Sequence, residues 1–406
     1  MAATLPNAEI TDSSDFLKQF RVHLCLVSNQ AAPNFLPIVF CKPARVVLFV
    51  SAEMQDTGKH LQEALHRAVP QTKIEIVEIA DAWDLEACST LFFEKIVSLD
   101  GERALFNVTG GTKIMSFAAL TTAFDTDVPA IYLNEKNNTI HLLSTPHKEE
   151  QQRMPSIVVK TSLRNYLAAY GYAVRESASA PTLSLDVAET LDYLLRQPSM
   201  REVVSKLNRI AVDAEEKSFN KKTRQQEKGT PKPIHMEDVR KALSDKNREA
   251  FDVLCTYFEK MGRLRVQGSQ CVFPTEADRF FVAGGWLENY VVSKLAQLGL
   301  KPEGNIVVER GARNEIDAAF MYDECLYIVE CKTCFYPTAD DANKVLYKLE
   351  SLAKLGGLKT KLVLVSYQPL PDASRKRAKD QGITVFCAEQ LKDLVGCFKG
   401  LISGKL

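Results

Sequence analysis

The chain has 406 residues, 46% hydrophobic and 25% charged, an ordinary globular composition long enough for two or three domains. Lys plus Arg and Asp plus Glu both number 51, so no global field draws it to nucleic acid and any such contact must come from local patches. No apolar run reaches the roughly 18 residues of a membrane span, and no cationic segment leads into an apolar core at the start.

The ten cysteines sit mostly in apolar contexts, as Cys25, Cys255 and Cys387 do, and read as small buried hydrophobes. Cys331 and Cys334 are spaced Cys-x-x-Cys, but no second pair exists to complete a zinc site. Reduced thiols and no secretory signal point to the cytoplasm.

From residue 21 to 144 short apolar strands alternate with helices. Strands are expected at 22–27, 46–51, 73–79, 104–108 and 130–133, and helices at 57–68, 84–98 and 112–124. That alternation predicts a Rossmann-like α/β domain with a parallel sheet covered on both faces. Such sheets bind ligands beyond the carboxyl ends of their strands.

The loop after the 104–108 strand reads Asn107-Val108-Thr109-Gly110-Gly111-Thr112-Lys113-Ile114-Met115. Two glycines allow close backbone approach, and the following helix offers its N-terminal N–H groups to an anion. Thr109 and Thr112 carry hydroxyls and Lys113 a positive charge. The spacing is neither a Walker A loop nor a dinucleotide fingerprint. A plain strand-to-helix turn with a capping threonine would use the same residues.

Asn-x-Thr-Gly-Gly-Thr-Lys-x-Met resembles the signature of CARF domains, which sense cyclic oligoadenylates in type III CRISPR defence. The resemblance covers residues 20–150. It implies a ligand site made by Thr109, Gly110, Gly111, Thr112 and Lys113. The loop from Ser28, Asn29 and Gln30 to Pro33 and Asn34 would be another wall, with Ser51 to Met54 on the same rim. It also implies a homodimer with one activator, cyclic tetra-adenylate, across the two-fold axis.

Residues 146–155 read as a polar connector. A helix is expected at 156–172 with Val158, Leu163 and Leu167 inward. Residues 185–275 read as a helical connector, with helices at 187–195 and 239–261 and a two-stranded wing at 264–272 broken at Gly268-Ser269, a winged-helix-like pattern. A basic stretch opens with Lys217-Ser218-Phe219-Asn220-Lys221-Lys222-Thr223-Arg224. It reads as a solvated loop or as a phosphate-contacting one.

The C-terminal third carries the chemistry. Gly284-Gly285-Trp286-Leu287-Glu288 opens a helix, Asn314-Glu315-Ile316-Asp317 lies on a strand at 315–322, and Ile328-Val329-Glu330-Cys331-Lys332 on its hairpin partner at 326–333. Residues two apart share a face, so Glu330 and Lys332 project together and Cys331 points away. Asp317 is within reach of that face, and Glu288 arrives from the helix. Hard divalent cations take oxygen ligands, so Asp317 and Glu330 would hold Mg²⁺ or Mn²⁺, joined by the Cys331 carbonyl and by Glu288 directly or through water. Lys332 would position the attacking water or help deprotonate it.

This combination resembles the PD-(D/E)xK nuclease superfamily over residues 276–398, and the branch of it fused to ligand-sensing domains in CRISPR systems. The first position is Glu288 where many members carry Asp. Further helices at 340–355, 373–381 and 391–398 and strands at 361–366 and 384–386 supply the rest of such a core. Lys344, Lys348, Arg375, Lys376, Arg377 and Lys379 would form a basic rim toward substrate.

The expected organisation is therefore a sensing domain at 16–150, a connector at 151–275 and a nuclease domain at 276–406. The expected function is a metal-dependent endonuclease of type III CRISPR defence that cleaves DNA, and RNA as well, as some members of the resembled family do, when a cyclic oligoadenylate binds. The alternative is a ligand-responsive winged-helix regulator of transcription with a silent nuclease core. The intact Asp317, Glu330 and Lys332 speak against it.

Overall fold

The computed structural model describes residues 13–144, 153–179, 185–197, 200–215, 217–220, 225–241 and 243–404. Seven strands build the N-terminal sheet: β1 (Val22–Leu26), β2 (Arg45–Ser51), β3 (Lys73–Ile79), β4 (Ala104–Asn107), β5 (Ala130–Asn134), β6 (Thr139–Ser144) and β7 (Arg153–Ser156). Their order is β3-β2-β1-β4-β5-β6-β7. The first five are mutually parallel, and β6 and β7 add antiparallel. Every residue of central β1 is buried, whereas β3 exposes Lys73, Glu75 and Glu78, charges that protect a sheet edge.

One element departs from the sequence reading near the expected ligand wall. Residues 28–34 are not one loop, because a helix, Ala32–Cys41, begins inside it with Pro33 in its first turn. Proline is tolerated there because the N–H it lacks has no helical partner. Asn34 is buried and donates from Nδ2 to the Leu26 carbonyl at 2.7 Å, so Pro33 and Asn34 belong to the core.

The helix expected over 156–172 is shorter, Leu163–Ala169, capped by Ser162. Leu163 and Leu167 are buried as expected, but Val158 is 67% exposed, because the chain there is not helical and the helical spacing does not apply. Most of the polar connector, residues 145–152, lies outside the described residues.

The strand β8 (Ala173–Ser179), which the reading left within the connector, is an edge of the C-terminal sheet. Helices Leu185–Arg196, Met200–Asp213 and Asp245–Lys260 follow. The second was not anticipated, and the expected 239–261 helix is broken between Lys241 and Asp245. A hairpin, β9 (Lys217–Asn220) with β10 (Gln225–Lys228), falls in the basic stretch, of which 221–224 lie outside the described residues. Strands β11 (Ile234–His235), β12 (Arg265–Gln267) and β13 (Gln270–Val272) form a small sheet. Its β12–β13 turn at Gly268 (φ 60°) is the expected wing.

The C-terminal sheet adds β14 (Glu303–Arg310), β15 (Ala312–Tyr322), β16 (Cys325–Lys332), β17 (Lys361–Ser366) and β18 (Ile383–Cys387), in the order β18-β17-β16-β15-β14-β8. The β15–β16 turn, Asp323-Glu324, has both residues at positive φ, 47° and 55°, the twist a two-residue hairpin requires. Ile328 packs into the apolar cluster with Leu346 and Leu349 of helix Ala339–Ser351. Val329 and Cys331 pack into the opposite cluster with Trp286 and Leu287. The first cluster runs into the N-terminal domain and the second into the connector helices, so the nuclease sheet lies between them.

Polar contacts join the hairpin tip to the N-terminal domain. Buried Glu324 accepts from the Val159 N–H at 2.5 Å and from Asn138 Nδ2 at 2.7 Å, and buried Lys359 donates to Asn138 Oδ1. A buried carboxylate and a buried ammonium persist only when so bonded.

Candidate active site and sensing loop

Strand β16 has parallel β17 on one side and antiparallel β15 on the other, and its last residues outrun the β15 ladder. That ladder ends at Ala318 opposite Val329. Beyond it a side chain replaces the backbone, and Asp317 Oδ2 accepts the Cys331 N–H at 2.7 Å. This fixes the Asp317 carboxylate beside the face bearing Glu330 and Lys332. Lys332 Nζ lies 2.6 Å from Glu330 Oε1 and 3.5 Å from Asp317 Oδ2, and donates to the Cys331 carbonyl at 3.0 Å.

Glu288 comes from the first turn of helix Trp286–Gln297. Gly284, just before that helix, lets it pass the end of β16. Gly284 has φ 137°, and a Cβ there would sit 2.7 Å from Thr333 Oγ1. Asn208 of the connector helix hydrogen-bonds that same hydroxyl at 2.6 Å. The connector therefore buttresses the residue after Lys332.

Burial, and then the charge of Asp317, pushes the Glu288 carboxyl up to about 8, so it is protonated at neutral pH in the metal-free site. Burial also raises the Asp317 carboxyl, opposed by Lys332. Burial works against the Lys332 ammonium, but Asp317 and Glu330 outweigh it and hold its pKa above the ordinary value. Metal-free, Lys332 is a donor and not a base. Burial drives the Cys331 thiol well up, which leaves its backbone carbonyl as the useful group.

The donor set fits a hard divalent cation. Glu288 Oε2 and Glu330 Oε2 are buried with no hydrogen-bond partner, and the Asp317 carboxylate and Cys331 carbonyl stand beside them. Among the described residues no three acidic, His or Cys side chains form a ready-made metal cage. Mg²⁺ needs none, since it commonly takes one or two carboxylates and fills its shell with water and phosphate.

The sequence reading placed Lys348 on the basic rim. The structure brings it into the site, with Nζ 2.8 Å from Glu330 Oε1. The signal available was its i,i+4 relation to Lys344 on the helix after the Glu-x-Lys strand.

In the sensing domain, the 107–113 loop follows β4 at the carboxyl edge of the sheet. Buried Asn107 donates to the Pro33 carbonyl at 2.7 Å and accepts the Thr109 hydroxyl at 2.6 Å. Thr109 Oγ1 also accepts from the Leu133 N–H, and Thr112 Oγ1 donates to the Ala82 carbonyl while capping the helix at Met115. Both hydroxyls are engaged within the fold. What the loop offers a ligand is the N–H groups at the start of helix Lys113–Asp125 and the exposed Lys113 ammonium. Gly110 must be glycine, because a Cβ would meet the Leu26 carbonyl at 2.1 Å, and Gly111 has φ 78°.

Ser28 and Asn29 stand at the end of β1, half-buried and exposed, while Ser51 is buried and Met54 half-buried after β2. Gln30 faces elsewhere: its side-chain carbonyl accepts the Leu358 N–H of the nuclease domain. Trp83, next to the Ala82 carbonyl that Thr112 holds, is 71% exposed.

Residues 22–166 match the family described as the Card1 CARF domain, and residues 275–400 the Card1-like endonuclease domain. Among solved structures the chain is similar to Can2 from Sulfobacillus thermosulfidooxidans in complex with cyclic tetra-adenylate, at 23% identity and TM-score 0.72, covering 96% of this chain and 99% of that one. It is similar to protein VC1899 from Vibrio cholerae at 20% identity and TM-score 0.74, covering 94% and 98%. A type III CRISPR defence DNA nuclease activated by cyclic oligoadenylate matches at 18% identity and TM-score 0.52, over 87% of this chain and 47% of that one. No curated protein matches the sequence. The chain therefore belongs with the Card1-type CRISPR ancillary nucleases, a CARF domain joined through a helical connector to a PD-(D/E)xK endonuclease domain.

Proposed function

We propose that this protein is a divalent-metal-dependent endonuclease, switched on by cyclic tetra-adenylate, that degrades DNA and also RNA during type III CRISPR antiviral defence. The observation that carries the reading is the convergence of Asp317, Glu330 and Lys332 within 3.5 Å, with buried carboxylate oxygens left open, in a chain whose other end is a CARF domain. Asp317, Glu330 and the Cys331 carbonyl would hold Mg²⁺ or Mn²⁺, with Glu288 completing the shell. The ion, when bound, lowers the pKa of water and offsets charge developing on phosphate. Lys332 orients the water by donating to it.

The activator reading is supported by the CARF match, by the N–H groups and Lys113 at the helix start, and by the ligand in the Can2 structure. The homodimer reading is supported by an apolar face on two packed helices, where Phe93, Val97, Phe117 and Phe124 are all at least half exposed. Faces of that kind mark association sites on soluble proteins.

The test is cleavage of plasmid, single-stranded DNA and RNA with Mn²⁺ and each ring size of cyclic oligoadenylate in turn. Ring-dependent cutting by the wild type, absent from Glu330→Ala, is expected. Equal cutting without any ring would leave a nuclease with no allostery. Ring binding with no cutting would favour the regulator.

A further inference from the structure

Two ammonium groups share one carboxylate oxygen in this site. Glu330 Oε1 lies 2.6 Å from Lys332 Nζ and 2.8 Å from Lys348 Nζ. The two lysines are not equivalent. Lys332 also has the Cys331 carbonyl at 3.0 Å and Asp317 at 3.5 Å, and its side chain is 27% exposed. Lys348 has Glu330 as its hydrogen-bond and ion-pair partner among the described residues, and its side chain is 48% exposed.

Lys332 is shared with Asp317, so in the metal-free site the second cation helps to balance two carboxylates. A divalent cation that takes Glu330 through its open Oε2 supplies that positive charge itself and makes the second ammonium surplus. Lys332 stays among the ligand oxygens, beside the Cys331 carbonyl and Asp317. Lys348 has no second oxygen among the described residues, and an ammonium beside a metal ion needs another anion or open water. Its four-carbon stem and partial exposure put it at the mouth of the cleft, where the arriving anion is a phosphodiester. A lysine suits that task, because a point charge on a flexible stem can follow a phosphate as it enters.

We propose that Lys348 is a phosphate-binding residue of the nuclease site, held on Glu330 until metal and substrate displace it, whereupon it contacts a non-bridging oxygen at the scissile position. The proposal rests on the reading of this cleft as a metal-dependent nuclease.

The experiment uses the full chain saturated with cyclic tetra-adenylate and compares wild type, Lys348→Gln, Lys348→Arg and Lys354→Gln. Lys354 lies just past the end of the same helix, is exposed and stands outside the expected basic rim, so its variant controls for general positive charge. Binding of a fluorescein-labelled single-stranded oligonucleotide is read by anisotropy with Ca²⁺ in place of the active metal. Mn²⁺ binding is read by calorimetry, and kcat and KM from initial rates.

For Lys348→Gln the expected result is at least tenfold weaker oligonucleotide binding and a matching rise in KM. The slope of log affinity on log salt should be shallower by about 0.7, one single-strand phosphate contact. Mn²⁺ affinity should be unchanged or tighter, Lys348→Arg should recover most of the loss, and Lys354→Gln should stay within twofold. Oligonucleotide binding and KM within twofold of wild type for Lys348→Gln would overturn the proposal. So would a loss confined to Mn²⁺ affinity, which would make Lys348 a support for the carboxylate alone. The nuclease reading fails separately, if Glu330→Ala cuts as fast as wild type, and the anisotropy arm still reports the Lys348 contact in that case.

Discussion

The side-chain carbonyl of Gln30 accepts a hydrogen bond from the Leu358 backbone N–H at 3.1 Å, so the first sensing loop is tied directly to the nuclease domain. Leu358 lies ten residues beyond Lys348, on the segment leading from helix Ala339–Ser351 into β17. Gly357 makes the approach possible: with φ 68°, a Cβ there would meet Gln30 Oε1 at 2.3 Å. A ligand activates only by favouring one of two states, and this contact is a place where the states can differ. Gln30→Ala should keep activator affinity within twofold and lower the saturated cleavage rate at least tenfold. Calorimetry and initial rates measure both. The opposite split, lost affinity with full stimulation, would make Gln30 a ligand contact.

Glu330→Ala and Lys332→Ala should each abolish cleavage while leaving activator affinity unchanged, because in the proposed mechanism both serve the metal and the water and neither lies in the sensing domain. EDTA should act likewise. Undiminished cutting by Lys332→Ala would dismiss the assignment.

Lys113→Ala should weaken activator binding by about 1.5–3 kcal/mol, the worth of a charge-assisted hydrogen bond. Cleavage at saturating activator should survive. Equal affinities of variant and wild type by titration calorimetry would reduce the loop to a turn.

If the chain forms the proposed homodimer, Phe117→Glu should convert it to a monomer, since it places a charge on the exposed apolar helix face. Light scattering after gel filtration gives the mass. An unchanged mass would move the interface elsewhere. A monomer that is still fully activated would show that closure of a pair around the ring is dispensable.

His23 is the second residue of β1, buried with Nε2 unpartnered, and burial lowers its pKa to about 4. The folded value is below the unfolded one, about 6.5. The unfolded chain therefore takes up this proton first as pH falls, and stability is lost from about pH 6.5 down to about pH 4. The loss amounts to roughly 3 kcal/mol at the lower end. Melting temperatures at pH 7.5 and 5 should fall further for wild type than for His23→Leu. Parallel falls would place the acid sensitivity in other groups.

The residues proposed to carry the chemistry were legible because their signals are local. Period-two alternation sets Glu330 and Lys332 on one face and Cys331 on the other whatever surrounds the strand, and Asn107 to Lys113 declares a strand-to-helix loop by its own glycines. What tertiary structure alone decided are the partners. Lys348 reaches Glu330 from a later helix, Gln30 meets Leu358 across 328 positions, and β8 pairs with β14 across the whole connector. In sequence the Thr109 and Thr112 hydroxyls could serve a ligand or a helix cap, and the fold engages them with Asn107, Leu133 and Ala82. Backbone periodicity fixes which way a side chain projects. Which group it meets depends on how separate elements pack and on the demand that every buried polar group find a partner, and neither is written in neighbouring residues.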